Sequence, residues 1–310
     1  MAAMMHMTRH DERARPTGQS SSAAAPGASG VTRHRLGGYR EYAPPPEIAM
    51  CCEALWTHGT PLAPVSGVTV HHVLPEIAVS LAFQGFRDED GRPRDWAPTI
   101  IGPNLRAQAF RLVPGRELAA LRLKAEWAGP LLGVDPLAIE GAVVDLSVVC
   151  PGLADRLHDA FWRTRSAEAV LPVLLAVVRD ALGATRVPPS PHASAALDLV
   201  RRSSGRLPCE RVASSLGLSD RHLRRQVHDS TGVSPKTYAR ALRFVSAMLI
   251  ADRAERPAWA DIAARGGYCD QSHLIRECVT LSGVPPRELH AERWGQIASD
   301  DAMADLSNPS

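Results

Sequence analysis

The C-terminal third of this 310-residue chain contains one pattern twice, with about fifty residues between corresponding positions. The offset is 50 at first and then becomes 51, so one residue is predicted to be inserted at the start of the second copy's later helix. Two copies are too few to stack into a solenoid, and the repeat therefore predicts a duplicated supersecondary unit. The matching positions are Val212-Ala213 with Ile262-Ala263, Gly217-Leu218 with Gly267-Tyr268, Asp220 with Asp270, Arg225 with Arg276, and Pro235 with Pro286.

Local rules predict two short helices in each copy. In the first copy, Cys209 to Leu216 form a helix that Gly217 ends in the left-handed conformation, and Ser219 caps the next helix. Leu223 and Val227 lie four residues apart and face inward, which turns the polar side chains outward. This arrangement is typical of a helix-turn-helix unit, whose second helix enters the DNA major groove. The outward side chains are Arg221, Arg224 and Arg225 in the first copy and Gln271, Ser272, His273 and Arg276 in the second.

A longer helix is predicted between the two units. Ser234 and Pro235 are suited to its N-cap and first position, and apolar residues continue from Tyr238 at helical spacing to about Ala254. A helix of roughly 20 residues spans about 30 Å, close to the ~34 Å between successive major-groove segments. The net charge of the whole chain is only +2, but residues 201–243 contain ten basic and three acidic residues. The distribution therefore indicates a local surface for nucleic acid.

The two units resemble the DNA-binding domain of the AraC family of bacterial transcription regulators. The resemblance covers about a hundred residues, from Ser194 to Trp294, and is most specific in the segment IAARGGYCDQSHLIRECVTLSGVPPREL. Cys278 departs from the family, which usually has a large apolar residue there. The resemblance implies a seven-helix domain with two helix-turn-helix units. It also implies that bases or phosphates are contacted by Arg221, Arg224, Arg225, Gln271, Ser272, His273 and Arg276.

The region before this domain is predicted to be β-rich over residues 36–150. Short β-branched or apolar runs interrupted by Gly, Pro and Asp are typical of a cupin-like barrel or a sandwich. Apolar residues at helical spacing predict a helical extension over 151–184, with dimerisation as a hypothesis. The region also resembles, less specifically, a poorly characterised sensor-like domain found in part of the same family. The predicted fold class is α+β, with the β-rich domain followed by helices and then by an all-α domain.

The remaining segments are predicted to be connections and termini. Residues 1–35 are expected to be a disordered leader, and residues 295–310 a flexible tail. The Pro-rich residues 185–192 are expected to form an extended linker, which precedes a DNA-binding domain at 193–294. Six cysteines without a CxxC pair, no run of 18 apolar residues and no secretory signal predict a cytoplasmic protein without a membrane span.

Two alternative functions remain open. His72 and Glu76 have the spacing of part of a cupin metal site, but Val70 stands where the second histidine belongs, and His71 points to the opposite strand face. The pair Cys51-Cys52 favours buried packing. No phosphate loop, nucleophile elbow or HExxH motif is present in the sequence. The alternatives are a metal-dependent cupin-like enzyme and a protein-interaction module.

The favoured prediction is a sequence-specific transcription regulator that is not an enzyme and has no catalytic residue, metal or cofactor. Its expected partner is double-stranded promoter DNA, read in two major-groove segments. A small-molecule effector or a second copy of the chain is expected to act through the N-terminal domain. RNA polymerase is a further expected partner if the protein is an activator.

Overall fold

A computed structural model describes residues 39–60, 70–111, 113–164 and 168–294, together with a two-residue strand at 32–33. Apart from that strand, the predicted leader lies outside the described residues, and so does the predicted tail at 295–310.

The strands of the N-terminal region form two antiparallel sheets. They are β1 (Thr32–Arg33), β2 (Arg40–Tyr42), β3 (Cys52–Gly59), β4 (Val70–Val73), β5 (Val79–Arg87), β6 (Pro93–Ile101), β7 (Gln108–Arg111), β8 (Arg116–Leu123) and β9 (Val143–Asp145). The larger sheet has the order β1-β2-β3-β8-β5-β6-β9, and β4 pairs separately with β7. The predicted β-rich N-terminal region is therefore confirmed.

Four α-helices follow or interrupt these strands: α1 (Ala128–Leu132), α2 (Leu146–Val149), α3 (Pro151–Thr164) and α4 (Leu171–Ala184). The two helices predicted after the β-rich region are present as α3 and α4. Their apolar residues cover one face of the large sheet, where Phe161 packs 4.9 Å from Phe83 and 4.2 Å from Trp96 between ring centroids. The apolar faces of α3 and α4, which motivated the dimerisation hypothesis, are thus packed against the large sheet of the same chain.

Seven helices make up the C-terminal region in the part that the structure describes. They are α5 (Pro191–Arg202), α6 (Cys209–Ser215), α7 (Asp220–Thr231), α8 (Pro235–Ala251), α9 (Trp259–Arg265), α10 (Gln271–Ser282) and α11 (286–294). The pairs α6–α7 and α9–α10 are the two helix-turn-helix units, so the predicted all-α architecture is confirmed.

Two predicted boundaries differ from the structure. Helix α5 begins at Pro191, inside the linker predicted at 185–192. Ser190 caps this helix, and proline is tolerated at the first helical position because the N–H that it lacks would have no partner there. Helix α8 ends at Ala251 rather than near Ala254, and the carboxylate of the next residue, Asp252, pairs with buried Arg293. The 17 residues of α8 span about 25 Å.

The second face of the large sheet packs on α8. Side chains alternate along a strand, so Leu81 of β5 faces the N-terminal helices while Ala82 faces α8. Every residue from Phe244 to Ala251 is buried and all but Ser246 are apolar, as expected of a helix segment that is covered on all sides. The two regions therefore share one continuous core, in which Trp56 and Leu118 of the sheet join the residues of α8.

Helices with the length and apolar character needed to cross a membrane are not found in the described part of the chain.

Candidate nucleic-acid interface

Helix α7 is a short helix with a sharply divided surface. The hydroxyl of Ser219 accepts a hydrogen bond from the backbone N–H of His222 (3.3 Å), and Gly232 ends the helix with a φ of 74°. Leu223 and Val227 are buried against the first unit. This orientation leaves Arg221, Arg224 and Arg225 exposed on the opposite side.

Helix α10 repeats this construction in the second unit. The carboxylate of Asp270 accepts a hydrogen bond from the backbone N–H of His273 (2.6 Å), and Gly283 ends the helix with a φ of 80°. Ser272 and Arg276 are exposed one turn apart, and Gln271 is partly exposed. The structure therefore places polar side chains on the outer side of both recognition helices.

His273 has a structural role that its neighbours lack. Its Nδ1 accepts a hydrogen bond from the backbone N–H of Cys269 (3.4 Å), and its ring meets the ring of Tyr268 edge-on at 5.2 Å. The histidine therefore supports the turn before α10, and it also lines the cleft described below.

The inserted residue of the repeat lies in this turn. Ser219 and Asp270 are the N-caps of equivalent helices, so Asp270 corresponds to Ser219 and not to Asp220. The extra residue of the second copy is therefore Cys269, before the cap, and the prediction that it lies at the start of the helix was wrong. A turn accepts an insertion more easily than a helix, whose buried face would be rotated by about 100°.

Removing the caps is expected to weaken the two recognition helices to similar extents. Asp270→Ala should lower the free energy of unfolding by ~1 kcal/mol, because a backbone N–H loses its partner. Ser219→Ala should have a comparable effect in α7. Urea denaturation followed by circular dichroism measures both, and Ser272→Ala, an exposed position two residues after Asp270, is the control. Equal stability of Asp270→Ala and Ser272→Ala would contradict the assignment of the cap.

A cleft of about 880 Å³ lies between the two units, and we call it the inter-unit cleft. Arg224 of α7 and His273 of α10 both line it, so the two recognition helices border one concave surface. The N-terminal half of α8 and the loop before α6 contribute the other walls. Five basic side chains line the cleft: Arg206, Arg224, Lys236, Arg240 and Arg243. Three acidic side chains, Glu210, Asp220 and Glu277, also line it, so the lining carries a net positive charge.

Part of the positive charge predicted for residues 201–243 is engaged within the protein. Arg240 donates to the carboxylate of Glu277 (2.6 Å), and the Arg243 guanidinium lies 4.9 Å above the centre of the Tyr268 ring. Burial raises the pKa of the Tyr268 hydroxyl above its ordinary value. Glu277 was not among the residues predicted from the sequence, although its position as an acidic residue on the inward side of α10 was the available signal.

Arg201 lies at the contact between the N-terminal and C-terminal regions. Its guanidinium donates two hydrogen bonds to the carboxylate of Glu126 (3.0 and 2.6 Å) and one to the hydroxyl of Tyr238 (3.0 Å). The side chains of Arg201 and Glu126 are 8% and 1% exposed. Arg201 therefore joins the two regions and is not available to nucleic acid.

The N-terminal region also touches the C-terminal ends of both recognition helices. Leu137 packs where a side chain at Gly232 would otherwise lie, directly after α7. The backbone N–H of Ala107 donates to the carbonyl of Leu281 in α10 (2.7 Å). Displacement of the sheet would therefore disturb both units.

The residues of the alternative metal hypothesis have separate partners. The Nδ1 of His72 lies 2.5 Å from a carboxylate oxygen of Glu292 in α11, whereas a carboxylate oxygen of Glu76 lies 3.2 Å from the Nε of Arg122. Within the described ranges, no three His, Cys, Asp or Glu side chains are grouped so that they could hold a metal ion. Cys51 and Cys52 are buried as predicted, and burial raises the pKa of Cys51 to about 11.

Comparison with known proteins supports a DNA-binding C-terminal region. Residues 212–292 match the profile of a helix-turn-helix domain family. No curated protein sequence matches the chain.

Several solved structures are similar to part or most of the chain. The C-terminal domain of AraT, a response regulator from Geobacillus stearothermophilus, is 26% identical with a TM-score of 0.31, and the match covers 33% of this chain and 86% of that one. A transcriptional regulator with an AraC-type DNA-binding domain from Chromobacterium violaceum is 23% identical with a TM-score of 0.31, covering 33% and 92%. ToxT from Vibrio cholerae O395 is 9% identical with a TM-score of 0.39, covering 77% and 97%.

Proposed function

We propose that the chain is an AraC-type DNA-binding transcription regulator that reads two major-groove segments of a promoter, one with α7 and one with α10; the match of residues 212–292 to a helix-turn-helix domain family supports this. The observation that carries the proposal is that two similarly capped helices present polar outer faces beside one basic cleft. The proposed contacts are Arg221, Arg224 and Arg225 in the first segment and Gln271, Ser272, His273 and Arg276 in the second.

These side chains have the chemistry that direct readout requires. An arginine fork can donate two hydrogen bonds to guanine, a glutamine amide can pair with adenine, and a serine hydroxyl can donate or accept. In the first unit, Arg221 and Arg225 lie one helical turn apart on the exposed side. Lys236, exposed in the first turn of α8, is suited to a phosphate. The first segment is therefore expected to be guanine-rich.

The salt dependence of binding tests whether the surface contacts phosphates. For the full chain and a duplex selected from a random pool, we expect log K to fall steeply with log salt, because each phosphate contact releases condensed counterions. Lys236→Gln should reduce the magnitude of the slope by about 0.9, and Arg163→Gln, on exposed α3, should leave it unchanged. Fluorescence anisotropy measures the slopes. A slope near zero would instead favour a protein-interaction module.

We further propose that the N-terminal region modulates DNA binding in response to a small molecule or to a second copy of the chain. Three sets of contacts between the N-terminal and C-terminal regions support this proposal: the core shared with α8, the Arg201–Glu126 ion pair, and the contacts at the ends of α7 and α10. A ligand that shifts the sheet would change the placement of both recognition helices. In this proposal the protein acts in the cytoplasm without catalysing a reaction, and contacts RNA polymerase where it activates transcription. Sedimentation of the full chain on its duplex, with and without candidate ligands, tests both forms of modulation.

A further inference from the structure

Glu277 is an acidic residue on the inward side of a recognition helix. It lies in α10 beside buried Leu274 and Cys278, and its side chain is only 10% exposed. A carboxylate removed from water is costly unless it is paired, so this position needs an explanation beyond helix propensity.

The partners of Glu277 are on α8. Its Oε1 accepts a hydrogen bond from the Nε of Arg240 (2.6 Å) and lies 3.9 Å from the guanidinium of Arg243. The same half of α8 packs into the first unit through Tyr238 and Leu242. Glu277 therefore joins the second recognition helix to the segment that carries the first unit.

The contact continues to the beginning of α10. Arg243 lies over the ring of Tyr268, and the Tyr268 ring meets His273 in the first turn of the helix. Arg243 thus links the middle of α10 with its N-terminal end. Apolar packing of Leu274 and Cys278 fixes how deeply the helix is buried, but it has little directional preference. The directional ion pair is better suited to fix the rotation of the helix and its position along α8.

We propose that Glu277 is a positioning residue that holds α10 at a fixed placement relative to α7, and so sets the spacing between the two DNA segments that the protein accepts. This inference rests on the proposed function. One additional base pair moves the second segment by about 3.4 Å and rotates it by about 34°. A firmly held α10 cannot follow that displacement, whereas a loosely held α10 can follow part of it.

The test uses the full chain and a duplex that the wild-type protein selects from a random pool. It also uses altered duplexes, which gain or lose one base pair between the two segments that the protein contacts. The spacing penalty is the ratio of the affinities for the original and altered duplexes. For the wild type we expect about 5- to 150-fold, the equivalent of one lost bidentate base contact. Glu277→Ala should reduce the penalty to about threefold or less, and Glu277→Gln, which keeps one hydrogen bond but no charge, should be intermediate.

Two controls separate positioning from base contact and from general stability. Arg225→Ala, on the exposed side of α7, removes a contact to the segment that is not displaced, so it should weaken binding to every duplex and leave the spacing penalty unchanged. Asp261→Ala removes an exposed ion pair with Arg265 in the same unit and should change neither quantity. Thermal denaturation shows that each variant is folded, and Glu277→Gln serves if Glu277→Ala does not fold. A wild-type spacing penalty in the folded Glu277 variants would overturn the inference, whereas failure of the wild type to enrich any duplex would instead overturn the proposed function.

Discussion

Replacing Arg201 with methionine is expected to lower the free energy of unfolding by about 3–5 kcal/mol, the cost of breaking a buried ion pair. The variant would leave the carboxylate of Glu126, which is 1% exposed, without its bidentate partner. It would also leave the nearly buried Glu53 without the guanidinium that lies 3.9 Å away. Methionine preserves much of the volume, so the loss reflects charge more than a cavity.

The structure offers a matched control for this prediction. Arg179 and Glu47 also form an ion pair at 2.6 Å, but their side chains are 53% and 50% exposed. Solvent screens such pairs, so Arg179→Met should leave the stability almost unchanged. Urea denaturation followed by tryptophan fluorescence compares the two variants. Equal shifts of the unfolding midpoint would mean that burial of the Arg201–Glu126 pair does not matter for stability.

The double variant Arg201→Met with Glu126→Leu provides a second check. Replacing both partners with apolar side chains of similar size removes the unpaired charge and should recover part of the stability lost in Arg201→Met. Recovery is expected to be incomplete, because the double variant still removes the guanidinium that lies 3.9 Å from Glu53. A double variant less stable than Arg201→Met would show that the unpaired Glu126 carboxylate is not the source of the loss.

Arg225→Ala and Arg276→Ala are each expected to weaken specific DNA binding by about 1–3 kcal/mol, or about 5- to 150-fold. The two residues occupy equivalent exposed positions on α7 and α10. Truncation removes the guanidinium but leaves no buried group unpaired, so the loss should appear in affinity and not in stability. Gel shifts at fixed salt on the selected duplex and on a scrambled duplex measure specific and non-specific binding.

A change on the opposite side of the molecule serves as the control. Arg163 is an exposed arginine on α3, and Arg163→Ala should bind both duplexes as the wild type does. Arg225→Ala and Arg276→Ala should affect the scrambled duplex less than the selected duplex, since base contacts carry the specificity. Wild-type affinity and specificity in both variants would refute the assignment of the recognition helices.

The recognition helices could be predicted because their signals are local. Ser219 and Asp270 cap helices within three residues of themselves, and Gly217 and Gly267 adopt φ values of 66° and 75° in the turns. Such signals depend on the adjacent backbone and on the choice of side chain. The repeat strengthened the prediction, since the same signals occur twice.

The interior strand β3 was less apparent from the sequence. Five of its residues, including adjacent Leu55 and Trp56, are buried, because helices cover one face of the sheet and α8 covers the other. A strand buried on both sides lacks the alternation that marks a half-buried strand. The run Phe244–Ala251, apolar except for Ser246, did contain a usable signal, since a helix that is almost wholly apolar must be covered on all sides.

By itself the sequence determined the duplicated helices, their caps and the residues on their outer faces, because these follow from short-range rules within one turn of helix. Only the tertiary structure decided which basic residues remain available to DNA. Arg201 and Arg240 look alike in sequence, but their buried carboxylate partners, Glu126 and Glu277, lie 75 and 37 residues away. Arg201 also pairs with Asp198, a more exposed carboxylate three residues away. Pairing over the longer distances depends on how the sheet and α8 pack together, which no local pattern encodes.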